Sequence, residues 1–307
     1  MVRTVQNTID ALVILGATAG GKTALAVNAA RHFGGEIISA DSRQVYRGMD
    51  LGTGKDLAEY GEVPYHLINI AEAGSEYNLF QFQRDCYTAI KAIHQRRRLP
   101  LICGGTGLYL DAVLKDYHLV EVPLNQQLRE QVSTLTDEQL RRKLLEIKPQ
   151  QHNRTDLDER ERLLRAYEIA LGEARAEPVD PFVWRPLVFG LKWSREMLRR
   201  RIGERLRQRL EQGMIAEVES LHAGGVSWEQ LEFYGLEYRY IAHYLQGKLH
   251  RNDMIQQLAN AIGQFAKRQE TFFRRMEKHG TQINWLNAQD DPFAQLCRVV
   301  EQYRINL

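Results

Sequence analysis

Gly16-Ala17-Thr18-Ala19-Gly20-Gly21-Lys22-Thr23 carries the spacing G-x-x-x-x-G-K-[ST] at every position. Glycines so placed let backbone N–H groups turn inward around phosphate oxygens, and a helix beginning at the loop adds positive potential. Lys22 supplies a mobile point charge, and the Thr23 hydroxyl can coordinate Mg²⁺. All eight residues are therefore candidate ligands of a diphosphate or triphosphate, with Lys22 and Thr23 also assisting the chemistry. The loop leaves the reaction itself open. Asp41 follows the apolar run Glu36-Ile37-Ile38-Ser39-Ala40, and Thr106 follows another such run in Gly104-Gly105-Thr106-Gly107-Leu108-Tyr109. Ligands of open parallel sheets bind outside the carboxyl ends of the strands. Both side chains should thus face the loop across one crevice, with Asp41 as a metal ligand or general base. Helix capping is the plainer role for either.

These groups need a scaffold, and the hydrophobic pattern supplies one. Residues 11–15, 36–40, 65–70 and 101–103 read as short buried strands. Helical spacing over 23–33 puts Leu25, Ala26, Ala29 and Ala30 on one side, and 79–97 reads as a long amphipathic helix. Alternating strands and helices imply a parallel sheet covered on both faces. Beyond residue 120 the pattern turns helical through 171. Residues 187–192 return to strand character, and from 194 onward the chain is helical again, with a long helix over 260–276. The expected fold class is α/β, a P-loop NTPase-like core with a parallel sheet plus a helical insertion domain. The boundaries are a first core part at 1–120, an insertion at 121–183, and a second, mostly helical core part at 184–307.

The 307 residues are 44% hydrophobic and 26% charged, which excludes a disordered or fibrous chain. No apolar run approaches the ~20 residues of a membrane helix, and the first ten residues lack a secretory pattern. A cytoplasmic protein without a membrane partner is expected. Three cysteines, Cys86, Cys103 and Cys297, have neither metal-like nor redox spacing and read as small buried hydrophobes. His66, His94, His152 and His243 are scattered, which suits surface or capping roles. Net charge is only +2, yet nine basic residues between positions 184 and 210 face only Glu196 and Glu204. A second basic cluster contains Lys267, Arg268, Arg274, Arg275 and Lys278. Localised basic stripes on a near-neutral chain suit a polyanion, or else a solvated helix face.

The phosphate loop, Ile37 to Asp50 with its Asp41-Ser42-Arg43-Gln44-Val45-Tyr46 element, Gly52-Thr53, and Gly104 to Tyr109 together resemble the tRNA dimethylallyltransferase (tRNA isopentenyltransferase) family. Ala266-Lys267-Arg268-Gln269-Glu270-Thr271-Phe272-Phe273-Arg274 resembles that family's A-K-R-Q-x-T-W-F-R signature, with Phe272 where Trp is usual. The chain departs from the family at Gly235-Leu236-Glu237-Tyr238, where Gly-Tyr-[Lys/Arg]-Gln is common, and at Gly54 and Asp56 of Gly52-Thr53-Gly54-Lys55-Asp56. In the insertion, the stretch that begins at Asp158 and runs through Glu168 keeps the family's Arg and Arg-Ala-x-Glu frame but lacks the usual Asn.

The resemblance implies transfer of a dimethylallyl group from dimethylallyl diphosphate to N6 of adenosine 37 in a tRNA anticodon stem-loop, releasing pyrophosphate. Asp41 would be the general base, and Mg²⁺ on Thr23 would help neutralise the leaving group. It also places Asp41, Ser42, Arg43, Gln44 and Thr106 against the extracted base and its neighbours. Arg129, Glu161, Arg162, Leu163, Leu164 and Arg165 would be further tRNA contacts. Arg201 and Arg205, one helical turn apart, share a face and are the expected backbone-phosphate contacts nearest the site. A monomer is expected. The competing readings are an ATP-binding P-loop kinase of a small metabolite, an adenylate isopentenyltransferase, and a non-catalytic RNA-binding module.

Overall fold

Runs of consecutive apolar residues have no face to leave in water, so they pair inside a sheet. The computed structural model describes residues 8–149, 159–176 and 180–307. The first seven residues, His152 and Asp158 lie outside the described residues. The chain enters through strand β1 (Thr8–Ile9) and continues through β2 (Ala11–Gly16), helix α1 (Lys22–Phe33), β3 (Gly35–Ser39) and β4 (Tyr65–His66). Then come α2 (Leu79–Gln95), β5 (Leu99–Gly104), α3 (Gly107–Leu114), α4 (Gln126–Gln131), α5 (Asp137–Ile147) and α6 (Arg160–Glu173). The remainder is β6 (Pro186–Lys192), α7 (Arg195–Glu211), α8 (Met214–Ala223), α9 (Trp228–Tyr234), α10 (Leu236–Leu245), α11 (Arg251–Lys278), β7 (Asn284–Asn287), α12 (Pro292–Val300) and β8 (Arg304–Ile305).

Six strands form one parallel sheet in the order β4-β3-β5-β2-β6-β7. Strand β2 lies between β5 and β6, so Ile14 stands beside both Cys103 and Phe189. Alternate residues point to one face: Leu12, Ile14, Ile37, Leu101 and Phe189 bury against Leu25, Ala26, Ala29 and Ala30 of α1. That packing fixes where α1 begins, at the carboxyl end of the central strand. Helix α2 starts at a capping box, with Asn78 accepting from the Gln81 amide and Gln81 from that of Asn78.

Three expectations need correction. The strand at 65–70 ends at His66, because Leu67 (φ 62°) and Asn69 (φ 56°) turn left-handed and leave the ladder. Helix α2 stops at Gln95, and Arg97 is left-handed at φ 55°. The tail is not wholly helical: β7 extends the sheet beside β6, and β8 pairs with β1. Asn284-Trp285-Leu286-Asn287 buries only Leu286 fully, so no apolar run announces it.

The chain divides into two compact units, Met1–Lys115 with Val183–Leu307, and Asp116–Phe182. The second, anticipated at 121–183, holds α4 to α6 around its own core of Leu140, Leu144, Leu163 and Leu164. Among the described residues no helix is long and apolar enough to cross a membrane.

Glu36, only 3% exposed in β3, accepts from Arg96 Nη2 and shares a hydrogen bond with His66 Nε2, each at 2.7 Å. The Arg96 hydrogen bond, more than burial opposes it, holds this carboxyl below its ordinary 4.5. A depressed folded value stabilises above the unfolded one and is lost as pH falls through it. Glu36→Gln should therefore cost about 1–2 kcal/mol at neutral pH, discounted because Arg96 is half-exposed. In urea unfolding, the gap between wild type and variant should close below about pH 4.

Candidate active site

Strands β2, β3 and β5 all end on one side of the sheet, and they lead directly into the phosphate loop, Asp41 and Thr106 respectively. These three segments share a cleft of about 1110 Å³, also lined by residues 50–60 and by side chains of α7, α10 and α11. Lys22, Thr23, Asp41, Ser42, Arg43, Gln44, Thr106, Arg201 and Arg205 all line it.

The loop is held open by its carbonyls. Lys22 Nζ donates to Ala17 O at 2.9 Å, Arg201 Nε to Ala19 O at 2.9 Å, and Trp193 Nε1 to Gly20 O at 2.9 Å. Gly21 adopts φ 81° as the N-cap of α1, a left-handed conformation that a side chain would strain. With three carbonyls bound by these donors, the amides at the start of α1 remain for an anion. Two loop amides are already used: Gly20 N–H donates to Ala17 O at 3.2 Å, and Thr18 N–H to Gln269 Oε1 at 2.8 Å, while Gln269 Nε2 donates to Gly105 O at 2.8 Å. Gln269, 8% exposed in α11, thus clamps the phosphate loop to the turn after β5. Gln269→Ala would leave the Thr18 amide unpaired, and pyrophosphate affinity should fall roughly tenfold by calorimetry.

Burial lowers the Lys22 ammonium from its ordinary value, opposed by Cys103 and Asp41 and reinforced by Arg205. An incoming diphosphate favours the charged form. Burial pushes the Cys103 thiol up to about 12, so it stays protonated and is no nucleophile. Asp41 Oδ1 accepts from the Arg43 amide at 2.9 Å, a local turn that fixes the carboxylate's direction. Thr106 Oγ1 accepts from the Ser42 amide at 3.0 Å, tying the β5 turn to the β3 turn. Gln44 is largely committed: its Oε1 accepts from Ser39 Oγ and its Nε2 donates to Gly54 O.

Arg201 and Arg205 do share the cleft-facing side of α7, but their partners differ from those expected. Arg201 lies over the Trp193 ring, 4.5 Å from its centroid, as it binds Ala19 O. Arg205 donates to Gly54 O at 3.3 Å and pairs with Asp56 at 2.9 Å, where Arg209 joins it. In the free protein Arg201 is thus seated on the phosphate loop and Arg205 on the 54–56 segment across the cleft. Arg200 pairs with Glu204 on the exposed side.

Two of the family departures, at Gly54 and Asp56 and at Gly235-Leu236-Glu237, line the cleft. Tyr238, fully buried, donates to Glu217 Oε1 at 2.7 Å, and the same carboxylate accepts the amides of Asp50, Leu51 and Gly52. A Cβ on Gly52 would lie 2.5 Å from the Tyr238 ring, so glycine and tyrosine fit each other. Lys55, buried beneath, donates to Asp50 at 2.8 Å, to Asn69 and to Tyr46 O.

The second unit needs a correction. Leu163 and Leu164, at 0% and 8% exposure, belong to its core and present no surface to RNA. Arg129 Nε reaches the buried Glu168 at 2.7 Å and its Nη1 reaches Glu161 at 2.9 Å. Arg165 binds Glu168 at 3.1 Å and Val122 O at 2.7 Å. These two arginines neutralise an interior carboxylate. Arg162, half-exposed, pairs with Glu159 at 3.2 Å.

No local spacing assigns a role to Trp193, Gln269 or Glu217. Gln269 stood inside the A-K-R-Q stretch, so a signal existed. Trp193 and Glu217 leave none, since the backbone atoms that they hold lie far away in the chain.

The IPP transferase family pattern matches residues 44–276, and the isopentenyl transferase pattern matches 9–62. The chain is 58% identical to tRNA dimethylallyltransferase 1 of Geotalea uraniireducens over 94% of this chain and 96% of that one. It is equally similar to tRNA dimethylallyltransferase 2 of Syntrophotalea carbinolica, over 95% and 99%. Among solved structures it resembles a tRNA isopentenylpyrophosphate transferase from Bacillus halodurans, with TM-score 0.69, 29% identity, and 97% and 96% of the two chains covered. A eukaryotic dimethylallyltransferase acting on tRNA shares the fold, with TM-score 0.79 at 24% identity, over 96% and 78%.

Proposed function

The chain belongs to the tRNA dimethylallyltransferase family, and from that membership we propose that its cleft joins dimethylallyl diphosphate to the N6 amine of an anticodon-loop adenosine. The observation that carries this reading is one cleft holding both a phosphate loop with pinned carbonyls and the carboxylate of Asp41. The diphosphate lies on the loop from Gly16 to Thr23, with Lys22, Arg201 and Arg205 around its oxygens. Charge developing on the leaving pyrophosphate is met by donors already in place. The allylic C–O bond breaks, the N6 lone pair forms the new C–N bond, and Asp41 takes the proton that N6 sheds.

An oxygen-donor set of Thr23 hydroxyl and diphosphate oxygens, facing the Asp41 carboxylate, fits Mg²⁺, which ordinarily takes few protein ligands beside substrate phosphates. Among the described residues no three His, Cys, Asp or Glu side chains form a metal-binding group. When bound, it would neutralise negative charge on the leaving group.

Ser42, Arg43, Gln44 and Thr106 line the path of the base, which must leave its stack to reach Asp41. In the second unit, Arg129, Glu161, Arg162 and Arg165 are the proposed tRNA contacts. We propose that the chain acts as a monomer, and its RNA substrate suits the cytoplasm. The test incubates the protein with dimethylallyl diphosphate or with ATP, with and without an anticodon stem-loop, and weighs the RNA. A dimethylallyl gain from the diphosphate alone supports the reading. Phosphate transfer from ATP, to RNA or to a small molecule, would replace it with a kinase.

A further inference from the structure

We propose that Phe233 and Phe265 are stacking platforms for the nucleobases on either side of the extracted adenosine, and so determine which anticodon loops are accepted. The inference rests on the proposed reaction. Exposed apolar side chains scattered singly are ordinary. Here only three Phe, Tyr or Trp rings are exposed among the described residues, Tyr65 (39%), Phe233 (65%) and Phe265 (39%), and two of them line this one cleft.

Neither ring is loosely held. Phe233 sits on α9, whose start is fixed by a Ser227–Gln230 capping box and whose next residue, Tyr234, is 3% exposed. The helix is anchored by Tyr234 while Phe233 faces solvent. The Arg43 guanidinium lies 5.1 Å from the centroid of the Phe233 ring, and the Arg43 amide is the one that orients Asp41. Phe265 is four residues before Gln269 on α11, the clamp on the phosphate loop, and Arg268 lies 5.9 Å from its centroid. Each platform is thus tied to the catalytic machinery, one through Asp41 and one through the loop.

An adenosine drawn out of its loop leaves two neighbours with an unstacked face. Single-stranded RNA bases are ordinarily held on aromatic faces, with nearby guanidinium groups available to the backbone phosphates. A ring and an Arg together supply both parts of that contact.

The test uses the full chain and an anticodon stem-loop carrying 2-aminopurine beside the target adenosine, on its 5′ side or its 3′ side. Wild type should quench the probe by stacking. Phe233→Leu should brighten one labelled RNA and Phe265→Leu the other. Each should weaken stem-loop binding about fivefold to a hundredfold, as loss of one base–aromatic stack implies. Pyrophosphate affinity should stay within about twofold, and Phe233→Trp should restore both quenching and affinity. Unchanged affinity and emission in both leucine variants would overturn the proposal while leaving the reaction intact. Failure of wild type to prenylate the stem-loop at all would instead overturn the reaction, and the platforms with it.

Discussion

Asp41→Asn should slow dimethylallyl transfer by about 10²–10⁴ while stem-loop affinity stays within about tenfold. The amide keeps an oxygen to accept the Arg43 N–H, so the turn after β3 survives and only the proton acceptor is lost. The adenine N6 lone pair is delocalised into the ring, which makes a nearby acceptor necessary as the C–N bond forms. Single-turnover kinetics with saturating RNA isolates this step. Turnover near that of wild type would move the base elsewhere in the cleft.

Lys22→Ala should lower kcat/KM for dimethylallyl diphosphate by about 10²–10³, the range seen when one preorganised donor is removed from developing charge. Its effect should divide between KM and kcat, since the ammonium meets the diphosphate before and during bond cleavage. Burial gives this group a pKa below the ordinary 10.5 in the free protein. Diphosphate binding by wild type should accordingly weaken as pH rises through that lowered value, and the variant should lose this pH dependence. Isothermal titration with pyrophosphate across alkaline pH checks both statements.

Much of this site is legible in local sequence, and the reason is geometric. The phosphate loop, Asp41 and Thr106 each follow an apolar strand, so parallel topology alone brings them to one crevice. Leu25, Ala26, Ala29 and Ala30 mark the face by which α1 is fixed. The hidden part depends on long-range contacts with backbone atoms. Trp193, Arg201 and Gln269 bind loop atoms from positions at least 173 residues away, and no spacing rule connects them. Charge patterning shows the α7 stripe but not its partners: Arg201, Arg205 and Arg209 turn inward to Ala19, Gly54 and Asp56. The family resemblance places Leu163 and Leu164 against tRNA, whereas two adjacent leucines on an amphipathic helix are core residues first.

Nucleoside mass analysis of an anticodon stem-loop after reaction with dimethylallyl diphosphate, using wild type and Asp41→Asn side by side, tests the proposed reaction and its base together. Wild type should place one dimethylallyl group on the N6 amine of a single loop adenosine and release pyrophosphate in equal amount, and the variant should give almost none. Modification elsewhere on the RNA, or equal product from both proteins, would contradict the proposed reaction.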